Sequence, residues 1–140
     1  MKAFALVLGL CLLLVACQVN RAYDEANLVN VLIKEQSHFG VEINVIAGVN
    51  TDEMVLGYDL MHAFTRAGWA SRINIIPDPE WDPKEKGLFI AYKVNTEPSV
   101  KALALVRILK QAGFSPRMMP HHGLMDNEVR IVIGRMPWRN

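Results

Sequence analysis

The chain has 140 residues, 51% of them hydrophobic, with 15 Lys and Arg against 14 Asp and Glu, a formal net charge of +1. A balance that even, with no basic run, gives no electrostatic footprint for nucleic acid. The two cysteines, Cys11 and Cys17, lie close together near the N-terminus and provide no framework of disulfides.

Met1-Lys2 supplies one positive charge and leads into an uncharged apolar run, Ala3 to Ala16. The run is short of the ~20 residues a membrane-spanning helix needs. It suits the apolar region of a secretory signal. It ends in Leu14-Val15-Ala16-Cys17, which resembles the lipobox of bacterial lipoproteins. That resemblance implies that residues 1–16 are a signal peptide and that Cys17 becomes the first mature residue, its sulfur carrying diacylglycerol and its amine an acyl group such as palmitate. Residues 17–23 would then be a lipidated tether, and Gln18 in place of Asp is compatible with outer-membrane sorting. The implied location is membrane-anchored by lipid, at the periplasmic or outer face of the cell envelope. The same residues also read as an uncleaved anchor with Cys17 a bystander, and either way the rest of the chain lies outside the cytoplasm. Several acyl chains would hold it stably, because each buried CH₂ contributes about 0.8 kcal/mol. Losing residues 1–16 removes Lys2 and Cys11 and leaves 14 basic and 14 acidic residues. The remaining 124 residues suffice for one domain, placed at 24–140.

In that domain, residues 24–38 carry Leu28, Val29, Leu32 and Ile33 at helical spacing, with Gly40 as a stop. Val41 to Ala47 alternates apolar and polar residues and reads as a strand with one face in a core. Arg72 to Ile76 alternates likewise. Pro77 to Gly87, with three prolines and Trp81, reads as a loop. Leu88 to Val94 and Pro116 to Met119 are a third and a fourth strand. A polar loop, Pro120 to Asn127, precedes a fifth strand, Glu128 to Ile133, and the tail Gly134 to Asn140.

Between these strands the chain repeats itself. Val49 to Arg72 (VNTDEMVLGYDLMHAFTRAGWASR) recurs without a gap as Val94 to Arg117 (VNTEPSVKALALVRILKQAGFSPR), 45 residues later. Each copy reads as a helix of about 17 residues, with Thr51 or Thr96 as N-cap and acidic residues at the positive end of the dipole. Gly68 or Gly113 closes a Schellman cap, and Trp69 or Phe114 folds back on Phe64 or Leu109. Two strand-helix-strand copies, 41–76 and 87–119, define an α+β domain. It resembles the ferredoxin-like arrangement, with an extra edge strand and an N-terminal helix added. Right-handed crossovers put both repeat helices on one side of the sheet. Polar residues at alternate strand positions argue against a doubly wound sheet buried on both faces.

Those alternate positions define a second sheet face carrying Glu42, Asn44, Arg72, Asn74, Glu128 and Arg130, together with Ile46, Ile76, Phe89, Ala91, Lys93 and Val132. The mixture is too apolar to be left fully wet. Either the 24–38 helix lies across it, or an envelope protein, a second copy or a ligand covers it. Glu42, Asn44, Arg72, Asn74, Phe89 and Arg130 are the candidate binding face. Other chemistry has less support: His121-His122, near Asp126, is the one cluster with metal-binding character, and Asp59 and His62 lie one helical turn apart. None of these spacings matches a structural zinc pattern. No nucleophile elbow or Gly-rich phosphate loop is present, so the sequence indicates no catalytic residue, no metal and no cofactor. The expectation is a binding or interaction domain on an envelope lipoprotein. The competing reading is a metal-dependent or hydrolytic enzyme using the His121/His122 loop.

Overall fold

The structure, a computed structural model, describes residues 25–46, 51–76 and 87–135. The 1–16 segment, Cys17, the 17–23 tether, Trp81 and the tail beyond Arg135 lie outside the described residues. In chain order the elements are α1 (residues 25–34), β1 (Val41–Ile46), α2 (Thr51–Arg66), β2 (Ser71–Ile76), β3 (Leu88–Lys93), α3 (Val100–Gln111), β4 (Arg117–His121) and β5 (Val129–Ile133). The result is an α+β fold built on a mixed sheet.

The strands form one sheet in the order β2-β1-β5-β3-β4. Strands β2, β1 and β5 run parallel, β3 and β4 run parallel to each other, and β3 meets β5 antiparallel. This differs from the ferredoxin-like arrangement, in which a strand of the other copy separates the two strands of each unit. Here β1 and β2 are neighbours, as are β3 and β4. The fifth strand, expected at an edge, is central: Ile131 sits between Ile43 and Ile90. Burial explains the position, since Ile131, Val132 and Ile133 are all fully buried and an edge would leave such a strand wet on one side.

All three helices cover the same face. Leu28 and Leu32 of α1, Leu60 and Phe64 of α2, and Leu105 and Ile108 of α3 are buried together with Ile43, Val45, Ile90 and Ile131. The expectation that α1 lies across the second face is therefore overturned. Helix α1 instead joins the helix layer, where the Trp69 indole N–H donates to the Leu32 carbonyl at 3.3 Å and Asn27 donates to the Gln111 carbonyl at 2.8 Å. Ile33, expected in the buried stripe, is 58% exposed. The helix also stops before Gly40, because His38 and Phe39 leave it to pack on Trp69, with ring centroids 5.0 and 4.9 Å away.

Both helix ends from the repeat are Schellman caps. Gly68 (φ 85°) donates to Thr65 O and Trp69 to Phe64 O, while Gly113 (φ 93°) donates to Lys110 O and Phe114 to Leu109 O. The starts are less alike. Thr96 does not cap α3: its hydroxyl donates to the Lys93 carbonyl at 2.7 Å, closing a turn in which Asn95 is left-handed (φ 59°). The cap is Ser99, whose side chain accepts from the Ala102 amide, so α3 starts later and is 12 residues long. β4 runs on through Pro120 to His121, further than expected, since an edge strand tolerates proline.

Helix α2 approaches the sheet closely at Gly57. A Cβ there would lie 2.7 Å from both Ile73 Cδ1 and Val45 Cγ2. Its repeat equivalent is the fully buried Ala102, so both copies carry a small residue at this position. Gly57→Ala should therefore overpack the α2–sheet contact and lower stability by about 1–3 kcal/mol in urea unfolding. Gly68→Ala meets open space, with only His38 at 4.0 Å, so its cost of about 1–2 kcal/mol would come from the backbone alone.

Candidate functional site

The second face takes its geometry from the strand register. One row across the sheet reads Arg72, Glu42, Arg130, Ala91, Met119; the next reads Asn74, Asn44, Val132, Phe89, Arg117. All six candidate residues, Glu42, Asn44, Arg72, Asn74, Phe89 and Arg130, fall in these two adjacent rows. The alternation of the strands put them on one face, and the order β2-β1-β5-β3 set them side by side.

On the β2-β1-β5 side the rows form a polar ladder. The Glu42 carboxylate lies between Arg72, at 3.1 Å, and Arg130, at 3.7 Å, and also accepts from the Asn74 amide. Asn74 donates in addition to Asn44 Oδ1 at 3.3 Å, whereas the Nδ2 of the fully buried Asn44 has no hydrogen-bond partner among the described residues. Arg130 continues the ladder to Glu128 at 2.7 Å, and Glu128 accepts from the Met125 amide at 2.9 Å. Each carboxylate is thus held by donors from a neighbouring strand or turn, which fixes its orientation. Arg72 is the outermost rung, its side chain 72% exposed.

The rest of the same face is apolar, along β5, β3 and β4 and at the far ends of β1 and β2. Ile46, Phe89, Ala91, Leu124 and Val132 form a second buried cluster, with Ile76 and Met119 packed against it. Arg117 lies over the Phe89 ring at 4.8 Å. Phe89 is therefore an anchor within the face and not an exposed contact, at 3% exposure.

Where β1, β2 and β5 begin, the ladder opens into a cleft of about 420 Å³ lined by Glu42, Arg72, Lys101, Asn127 and Glu128. The neighbouring Lys93–Asp126 ion pair (2.6 Å) borders a second hollow. Sequence reading missed this end of the sheet because its residues come from four separate segments, the starts of β1, β2 and α3 and the turn before β5. The one local signal was Asn127, which adopts φ 61° in the turn before β5, a conformation Asn tolerates better than most residues.

The histidine cluster does not assemble. His121, expected in a loop, ends β4; it is buried, and its Nδ1 accepts from the Gly123 amide at 3.0 Å. His122 is exposed, Asp126 is held by Lys93, and Asp59 and His62 are exposed on α2, across the sheet from the second face. Among the described residues no group of three or more His, Cys, Asp or Glu is placed to hold a metal ion.

No protein-family model matches the chain, and no curated protein or solved structure matches it. Among the described residues no helix is long and apolar enough to cross a membrane.

Burial pushes the Glu128 carboxyl up, but the Met125 amide and Arg130 outweigh it and hold the group below its ordinary value. A lowered folded pKa means that the stabilisation is complete above the ordinary carboxylate value of about 4.3. It is lost as pH falls through the lower folded value. Urea midpoints at pH 7 and near pH 3 should therefore show a smaller acid loss for Glu128→Gln than for the wild type. Equal losses would mean that the ladder does not hold this carboxylate.

Proposed function

We propose that this chain is a bacterial cell-envelope lipoprotein, anchored by acyl chains on Cys17, whose α+β domain works by binding and uses the second face of its sheet. The address rests on Leu14-Val15-Ala16-Cys17 at the end of the apolar run. The observation that carries the binding reading is the Arg72–Glu42–Arg130–Glu128 ladder, a line of charges fixed by one another beside an apolar strip. Charges held in this way present a preorganised surface and lose little side-chain freedom when a partner docks. With a fully extended reach of about 3.5 Å per residue, the 17–23 tether keeps the domain close to the membrane, so the partner belongs to the same envelope layer. The enzymatic alternative built on His121 and His122 has no assembled cluster among the described residues to support it.

The intact mass of the protein extracted from membranes tests the anchor. The expected mass is that of residues 17–140 plus acyl chains; a full-length unmodified mass would make the N-terminus an uncleaved segment and Cys17 a free thiol. Chemical cross-linking in intact envelopes tests the face. A stoichiometric partner should be lost with Arg72→Glu, and cross-linking unchanged by that reversal would contradict binding through the ladder.

A further inference from the structure

Among the described residues the two edges of the sheet come from the two copies of the repeat, and they have diverged where it matters for pairing. The Val41 amide donates to the Ala70 carbonyl at 2.9 Å, so the backbone groups of Arg72, Asn74 and Ile76 turn toward β1. Those of Ser71, Ile73 and Ile75 turn outward, since successive residues of a strand alternate. At the opposite edge the Val94 amide donates to the His121 carbonyl at 3.1 Å, so positions 116, 118 and 120 turn outward. The ungapped repeat aligns Ser71, Ile73 and Ile75 with Pro116, Met118 and Pro120. Two prolines thus remove outward donors from β4, and Met118 alone keeps its N–H there. Proline at an edge is a standard block to strand pairing. β2 has no such block: its three outward residues keep every N–H and C=O, and Ile75 is 56% exposed.

We propose that β2 is an open pairing edge and that its occupant is β2 of a second copy of this chain, antiparallel, with the two-fold axis at Ile73. Self-complementarity favours this occupant over an unrelated strand. In that register Ile73 faces Ile73 of the copy and Ser71 faces Ile75, so all six outward backbone groups are paired. On the second face the exposed Arg72 comes opposite Asn74 of the copy. Asn74 uses its amide nitrogen toward Glu42 and Asn44, and its Oδ1 remains as the acceptor for that guanidinium. The polar ladder then runs unbroken across both chains. The dimer requires only the edge and not the lipid anchor, so the acyl mass and the dimer mass can fail separately.

The test is the oligomeric mass of the full chain in detergent, by light scattering with the detergent contribution subtracted. The wild type should be a dimer. Ile75→Pro, which copies the block that β4 carries, and Ile75→Lys should both be monomers with unchanged circular dichroism. Opposed residues of a hydrogen-bonded antiparallel pair have Cα atoms about 5.5 Å apart, within disulfide range. Oxidised Ile73→Cys should therefore cross-link to itself, and Ile75→Cys should not. A monomeric wild type, a dimer that survives both Ile75 variants, or an Ile73→Cys adduct with a different polypeptide would each overturn the proposal.

Discussion

Strand β5 is the piece on which the rest of the sheet depends. It is the last of the described strands, yet it lies between β1 and β3, parallel to one and antiparallel to the other. The two strand-helix-strand halves have no strand pair in common, so their backbone continuity across the sheet runs through β5 alone. Its core side, Val129, Ile131 and Ile133, is buried under the helices, while Val132 is buried on the opposite face. A strand apolar on both sides at its end is what a central position requires. The energetic consequence is cooperativity: neither half can bury β1 or β3 on both flanks until the C-terminal segment arrives.

The same strand organises the candidate site. Arg130 on β5 joins Glu42 on β1 to Glu128, and Val132 beside it begins the apolar strip that continues through Phe89. Polar ladder and apolar strip therefore meet at β5, the strip reaching back to Ile46 and Ile76 at the ends of β1 and β2. With α1 in the helix layer beside Trp69 and Arg107, no described helix lies over that face. Within the layer α2 rests on the strands at Gly57, beside Ile73 and Val45, and the equivalent position of α3 is the buried Ala102.

Much of this was legible in the residues. Alternation in VEINVI and SRINII assigned each side chain to its face, because the period of two in a strand leaves no freedom once one face is buried. The matched Gly68 and Gly113 were equally informative, since only a few residues tolerate the left-handed conformation both adopt. Pairing partners were not legible. Alternation says which way Ile131 points and nothing about which strands flank it, and so β5 was expected at an edge. Helix α1 failed for a related reason: Leu28 and Leu32 form a stripe that fits either side of a sheet, and the hydrogen bond from Trp69 that selects one side spans 37 residues of sequence. The start of α3 was misread because Thr96 and Ser99 are both good caps, and the turn at Asn95 decides between them.

Native-state hydrogen exchange on the amides of β5, compared with those of β1 and β3, tests the central claim most directly. If β5 joins the two halves, the Ile131 and Val132 amides exchange only on global unfolding, as slowly as the most protected amides of the protein and with the same dependence on denaturant. Exchange of those amides through a smaller local opening, while β1 and β3 stay protected, would contradict it and return β5 to the periphery of the sheet.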